Sequence, residues 1–236
     1  MITDIKARAR QLNVSPAGDG DLDYLRMTRA GQLFTADWKY NLVAAGLMYR
    51  VTLGAAADDA DVTAIVGGGN GTVPDIEQPE IIVMANTNRL IPIALEMDIW
   101  SDTDAPDDYI HSLLFADRTT GVQAVTGTLE YPANQVDGAG DCTATVYSAV
   151  TADLTTVPAS DEILSSFRKE VTAVVMNGTA ANEDDAIISN IQHIWHAQWP
   201  DVLASPCSIV YTFAGTLACT GIGSLVFAEV PDSWFE

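Results

Sequence analysis

Cysteine, histidine and lysine each occur only three times in the 236 residues of this chain. Each scarcity excludes something. Cys142, Cys207 and Cys219 are too few and too scattered for a disulfide framework, and none forms a C-x-x-C pair, so they read as small buried apolar residues. With only His111, His193 and His196, the supply of general bases is thin. No lysine stands between Lys39 and Lys169, which removes a P-loop from that whole stretch. The chain also lacks an apolar run of about 20 residues, so no transmembrane helix is expected. The opening "MITDIKARARQLNVSPAGDGD" has basic residues with no apolar segment after them, which is not the pattern of a secretory signal.

What is abundant is acid. The net charge is −21, from 32 acidic and 11 basic residues, and 23 of the acids are Asp. Such a surface repels itself at low ionic strength and is tolerated where salt screens it, the Debye length falling to about 3 Å at about 1 M. A saline, halophilic setting is the expectation. The charge is unevenly spread. Residues 1–50 hold seven of the basic residues against five acids, and the remainder holds four against 27. The acidic body should avoid nucleic acid, so no sequence-specific nucleic-acid partner is expected. Contacts with phosphates or lipid headgroups fall to the N-terminal segment, through Lys6, Arg8 and Arg10.

"IVGGGNGTVPD" (65–75) packs four glycines into five residues and invites a nucleotide-binding reading. It fails: Gly67 and Gly69 fit G-x-G-x-x-G but the third position is Thr72, and Pro74 and Pro79 oppose the helix that would have to follow. A loop between two strands is expected there.

Residues 1–33 show no sustained apolar period and read as an extended arm. Residues 34–236 read as one domain with 48% hydrophobic residues chain-wide, enough for a sizeable core. "TADWKYNLVAAG" (35–46) predicts a helix capped by Thr35 and ended by Gly46. "SDEILSSFRKE" (160–170) predicts a second, with acids leading and Arg168 and Lys169 in the last turn. Nearly everything else is short, apolar or alternating, and rich in Val, Ile, Thr and aromatics, giving about ten strands. In "PIALEMDIW", Ile93, Leu95, Met97 and Ile99 are expected on one dry face, with Ala94, Glu96 and Asp98 on the wet one. "VQAVTGTLEY" (122–131) reads as a further strand. The predicted class is mainly β: an antiparallel jelly roll, β-sandwich or barrel with one or two short helices and an extended N-terminal arm.

Sites are few. Asp19, Asp21 and Asp23 match the first ligands of a calcium loop, but Tyr24 and Ala30 stand where Gly and Glu are required. Asp102, Asp104, Asp107 and Asp108 crowd carboxylates in "SDTDAPDD" and are the cation candidates, calcium being the natural fit; solvated loop tips are the default. His193 and His196 would share a helical face, but their segment alternates as a strand, which points them to opposite sides and removes a joint metal role. Trp195, Trp199 and Trp234 are candidates for subunit contacts, plain core packing being the alternative. With no G-x-S-x-G and no catalytic signature, no enzyme and no resident cofactor are expected.

The layout "RAGQLFTADWKYNLVAAGLMYRVTLG" followed by "QPEIIVMANTNRLIPIALEMDIW", with the size and acidity, resembles the single jelly-roll capsid proteins of icosahedral viruses with an internal membrane, especially those infecting haloarchaea. The resemblance spans residues 30–230 as architecture. It implies an upright β-barrel packed in a virion shell beside copies of itself or a second capsid protein, with the arm facing the membrane or shell interior. Two other classes remain from the residues alone. One is a β-sandwich binding module, such as a decoration, receptor-binding or carbohydrate-binding protein. The other is a jelly-roll hydrolase with convergent carboxylates or histidines.

Overall fold

The computed structural model describes residues 38–56, 62–63, 65–66, 74–101, 108–117, 122–156, 163–171, 174–175, 186–187, 191–215 and 219–235. Helix α1 (Trp38–Ala44) comes first. Strands β1 (Met48–Leu53), β2 (Ala55–Ala56), β3 (Val62–Thr63), β4 (Ile65–Val66), β5 (Ile81–Ala85), β6 (Arg89–Ser101), β7 (Asp108–Asp117) and β8 (Thr128–Glu130) follow. Then come β9 (Ala133–Asn134), β10 (Thr145–Ser148), β11 (Ile163–Val171), β12 (Val174–Val175), β13 (Ala186–Ile187), β14 (Ile191–His196), β15 (Cys207–Gly215) and β16 (Cys219–Val230).

Two antiparallel sheets carry the fold. The first runs β14-β6-β16-β1-β9, with β4 also on β16; the second runs β11-β7-β15-β5-β10-β8. The predicted β class holds. The sheets face each other without closing into a barrel. The main core lies between them, where Tyr49, Leu95 and Phe227 of the first sheet meet Val83, Tyr211 and Phe213 of the second. Alternation explains how one strand serves two cores. In β5, Ile81 and Val83 point into the sandwich while Ile82 and Met84 point outward, under cover of Val150 and Leu154. That double burial is why "EIIVMA" reads as an unbroken apolar run.

Helix α1 packs Leu42 on the outer face of the first sheet, beside Ile91, Ile93, Ala228 and Trp234. Its end was legible in the sequence. Gly46 has φ +70°, its N–H donates to Val43 O at 2.9 Å, and Leu47 N–H donates to Leu42 O at 3.0 Å. This is a Schellman turn closed by the Leu42–Leu47 apolar pair. A Cβ on Gly46 would also press on Ala139 Cβ at 3.0 Å. Gly46→Ala is therefore expected to cost about 1–2 kcal/mol, read by urea unfolding.

Three expectations are corrected. Residues 163–171 of the second predicted helix form β11, paired antiparallel with β7. The segment holds too few apolar residues for a helical stripe, and Ser165 and Phe167 face inward at period two. Ile93 does not share the face of Leu95, Met97 and Ile99: a bulge opposite Val226/Phe227 makes β6 spend an extra residue there, so Ile93 joins the outer cluster. Beyond it the phase reverses, and Leu90 rather than Ile91 points into the main core. Within 122–131 only Thr128–Glu130 is strand. The preceding residues spend their hydrogen bonds on loops: Val122 N–H donates to Asn86 Oδ1 at 2.9 Å, and Gln123 is tied to Thr155 and Thr156. The arm, the glycines at 67–71 and the cap at Thr35 lie outside the described residues. So do Asp19, Asp21 and Asp23.

Candidate functional site: two closed polar clusters

Titratable side chains converge inside the described body at two places. The first centres on His193, 2% exposed, on edge strand β14. The strand reading of "HIWH" holds. His193 points into the sandwich, while His196 points out, 3.6 Å from Glu96. His193 reaches across to the other sheet with both nitrogens: Nδ1 is 2.7 Å from Ser112 Oγ on β7, and Nε2 is 2.9 Å from Ser165 Oγ on β11. Its ring stacks on Phe167 at 5.5 Å between centroids and tilts against Tyr211 at 5.9 Å. A neutral imidazole has one donor and one acceptor, so one serine donates and the other accepts. Burial pushes the His193 pKa down to about 4 and that of Tyr211 well above its usual value.

On paper a Ser–His–Ser row suggests nucleophilic catalysis. The geometry is that of a clamp. Ser112 is fully buried, and the imidazole packs against the rings of Phe167 and Tyr211. The three residues tie the two sheets together at the side where β11 and β14 form their edges.

The second cluster centres on Glu229, 4% exposed, near the end of β16. It accepts the Thr143 N–H at 2.7 Å, the Asn88 amide at 2.9 Å and the Thr143 hydroxyl. The Cys142 thiol lies 3.4 Å from its second oxygen. Burial alone would raise the Glu229 pKa, but the bonds from Thr143, Asn88 and Cys142 outweigh it and hold the carboxyl below its usual value. Burial, then the Glu229 charge, push the Cys142 thiol up, so it is protonated at neutral pH and poorly suited to be a nucleophile. Burial likewise pushes Cys207 up to about 11. The cluster fastens the segment before β10 to the β5–β6 turn and to β16. A second buried carboxylate, Glu80, accepts the Phe213 N–H at 2.7 Å.

No family model, curated protein or solved structure matches this chain.

The residues singled out in the sequence are not brought together. Trp195 packs at the margin of the main core, and Trp234 packs under α1 in the outer cluster. Trp199 is 80% exposed, in the loop between β14 and β15. Lys6, Arg8, Arg10, Asp102, Asp104 and Asp107 lie outside the described residues. Asp108 opens β7 opposite Val171, with its side chain outside them as well. Among the described residues no three His, Cys, Asp or Glu side chains group as metal ligands, and no helix is long and apolar enough to cross a membrane. Ser112, Ser165, Asn88, Thr143 and Glu229 carried no signal in the sequence. Their partners stand 28 to 141 residues away along the chain, a distance no local pattern encodes.

Proposed function

We propose that this chain is a virion structural protein, a capsid subunit that builds an icosahedral shell from copies of itself, alone or with a second capsid protein. The observation that carries the reading is where the chain puts its polar and apolar groups. The central titratable groups are buried and committed to neighbours, His193 to Ser112 and Ser165 and Glu229 to Thr143 and Asn88, while large aromatics stand in solvent: Trp199 at 80% and Tyr131 at 85% exposure. Exposed aromatics next to a well-packed core serve contact between proteins better than they serve the isolated fold. In this reading the sandwich is a jelly roll upright in the shell, and Lys6, Arg8 and Arg10 reach toward the shell interior or an internal membrane. Asp102, Asp104, Asp107 and Asp108 are the carboxylates through which salt or calcium would tune association. The chain is not an enzyme.

The test is the size of the purified protein against salt and calcium, by light scattering and negative-stain microscopy. Ordered particles or capsomer-sized oligomers, favoured by salt, are expected. A monomer under every condition, including with any co-purifying capsid protein added back, overturns the reading. Trp199 also favours a second reading, a β-sandwich module that binds glycans by stacking a sugar on the indole. Trp199→Ala separates the two. It should weaken assembly without changing the unfolding midpoint if the shell reading holds. It should abolish retention on a glycan array and leave association intact if the binding reading holds.

A further inference from the structure

Each sheet ends in strands whose outer edge no other described strand pairs, and the edges differ in how they are guarded. Sheet edges are protected from pairing by shortness, proline, charge or bulges. On one side of the sandwich, β8 and β9 are three and two residues long and are separated by Tyr131 and Pro132. On the other side, β11 carries exposed Arg168 and Lys169 and a bulge between Ile163 and Ser165. Strand β14 has none of these devices. Ile191–His196 pairs with β6 in unbroken register, contains no Asp, Glu, Lys, Arg or Pro, and shows Ile194 to solvent at 56% exposure.

We propose that β14 is a pairing edge, and that its occupant is β14 of a second copy of this chain, antiparallel about a two-fold axis through Ile194. Two observations select a second copy. First, the strand is self-complementary. Antiparallel pairing centred on Ile194 sets Gln192 opposite His196 of the other copy, and His196 opposite its Gln192, an amide–imidazole hydrogen-bonding pair on either side of an Ile194–Ile194 contact. Such a patch, meeting itself, is what an isologous interface requires. Second, the charge fits. Two copies at −21 repel, and β14 is a strand without carboxylates; of the acids on the neighbouring β6, Glu96 sits 3.6 Å from His196 and Asp98 stands opposite Gln192. The pairing would join the first sheets of two subunits into one continuous sheet. The inference rests on the assembly reading above and supplies one of its contacts.

The test is disulfide trapping in the full chain. Directly opposed residues of an antiparallel pair bring their Cα atoms to about 4.5–5.5 Å, within disulfide reach. Ile194→Cys under mild copper–phenanthroline oxidation is expected to convert most of the protein to a covalent dimer. Ile163→Cys, equally exposed at 56% on β11, and the unsubstituted chain with its three cysteines should not. Ile194→Lys should lower the sedimentation coefficient toward the monomer without moving the unfolding midpoint. If the unsubstituted chain forms oligomers but Ile194→Cys gives no more covalent dimer than Ile163→Cys, the β14 contact is wrong and the shell reading survives. If the chain is monomeric throughout and Ile194→Cys stays uncrosslinked, both fall.

Discussion

Gly223→Ala is expected to destabilise the protein by about 3 kcal/mol or more, enough to leave little folded protein at moderate urea. Gly223 lies in the middle of β16, flanked by Leu53 of β1 and Met97 of β6. A Cβ there would run into the backbone carbonyl of Glu96 and the Met97 sulfur, and would sit 2.8 Å from the Met97 Cα. A side chain could move aside, but the β6 backbone is held in register on both sides and cannot. Glycine here is a packing residue. With Gly221, whose missing Cβ leaves room for the Phe213 ring at 3.2 Å, it lets the second sheet's aromatics settle against the first. Gly140→Ala is the control, since nothing lies within 4 Å of its added Cβ. It should shift the urea midpoint by less than about 0.5 kcal/mol equivalent. Equal, small shifts for both variants would refute the close approach of β16 and β6.

Acid should weaken the fold through His193. Its pKa in the folded state is near 4, held down by burial, against about 6.5 when unfolded. Between these values the unfolded chain binds a proton that the folded chain does not, so stability rises with pH across the window. The contribution is complete above about pH 6.5 and is lost as the pH falls toward 4, up to about 3 kcal/mol in all. Protonation also leaves two donors facing Ser112 and Ser165, so neither serine can donate to the ring. Glu229 adds its own loss only at lower pH, because hydrogen bonds hold its pKa below the usual carboxylate value. The measurement is urea unfolding at pH 7 and pH 4.5 for the unsubstituted chain and for His193→Gln. The variant should be less stable at pH 7 and lose less between the two pH values. An identical loss in both would remove His193 as the cause.

Much of the architecture was written locally. The turn at Gly46, the strand character of "HIWH" and the doubly buried runs at β5 and β15 follow from residue type and spacing. Gly supplies the left-handed turn, and a period of two leaves one choice of face. The acidity, the missing catalytic motifs and the scattered cysteines were likewise plain from composition.

Tertiary structure decided the rest, for a common reason: the deciding partner is far away along the chain. Residues 163–171 become β11 because β7 offers an edge to pair with, and pairing outweighs the helix-favouring order of acids first and bases last. The bulge at Ile93 exists because β16 runs out of phase with β6 there, which neither strand shows alone. His193 became a clamp between sheets only when Ser112, 81 residues earlier, came within 2.7 Å. Glu229 became a buried anchor only when Thr143 and Asn88 closed around it. Local sequence sets the period and the stops of each strand; which strands meet, and therefore which polar groups are shut in, depends on burying both faces of two sheets at once.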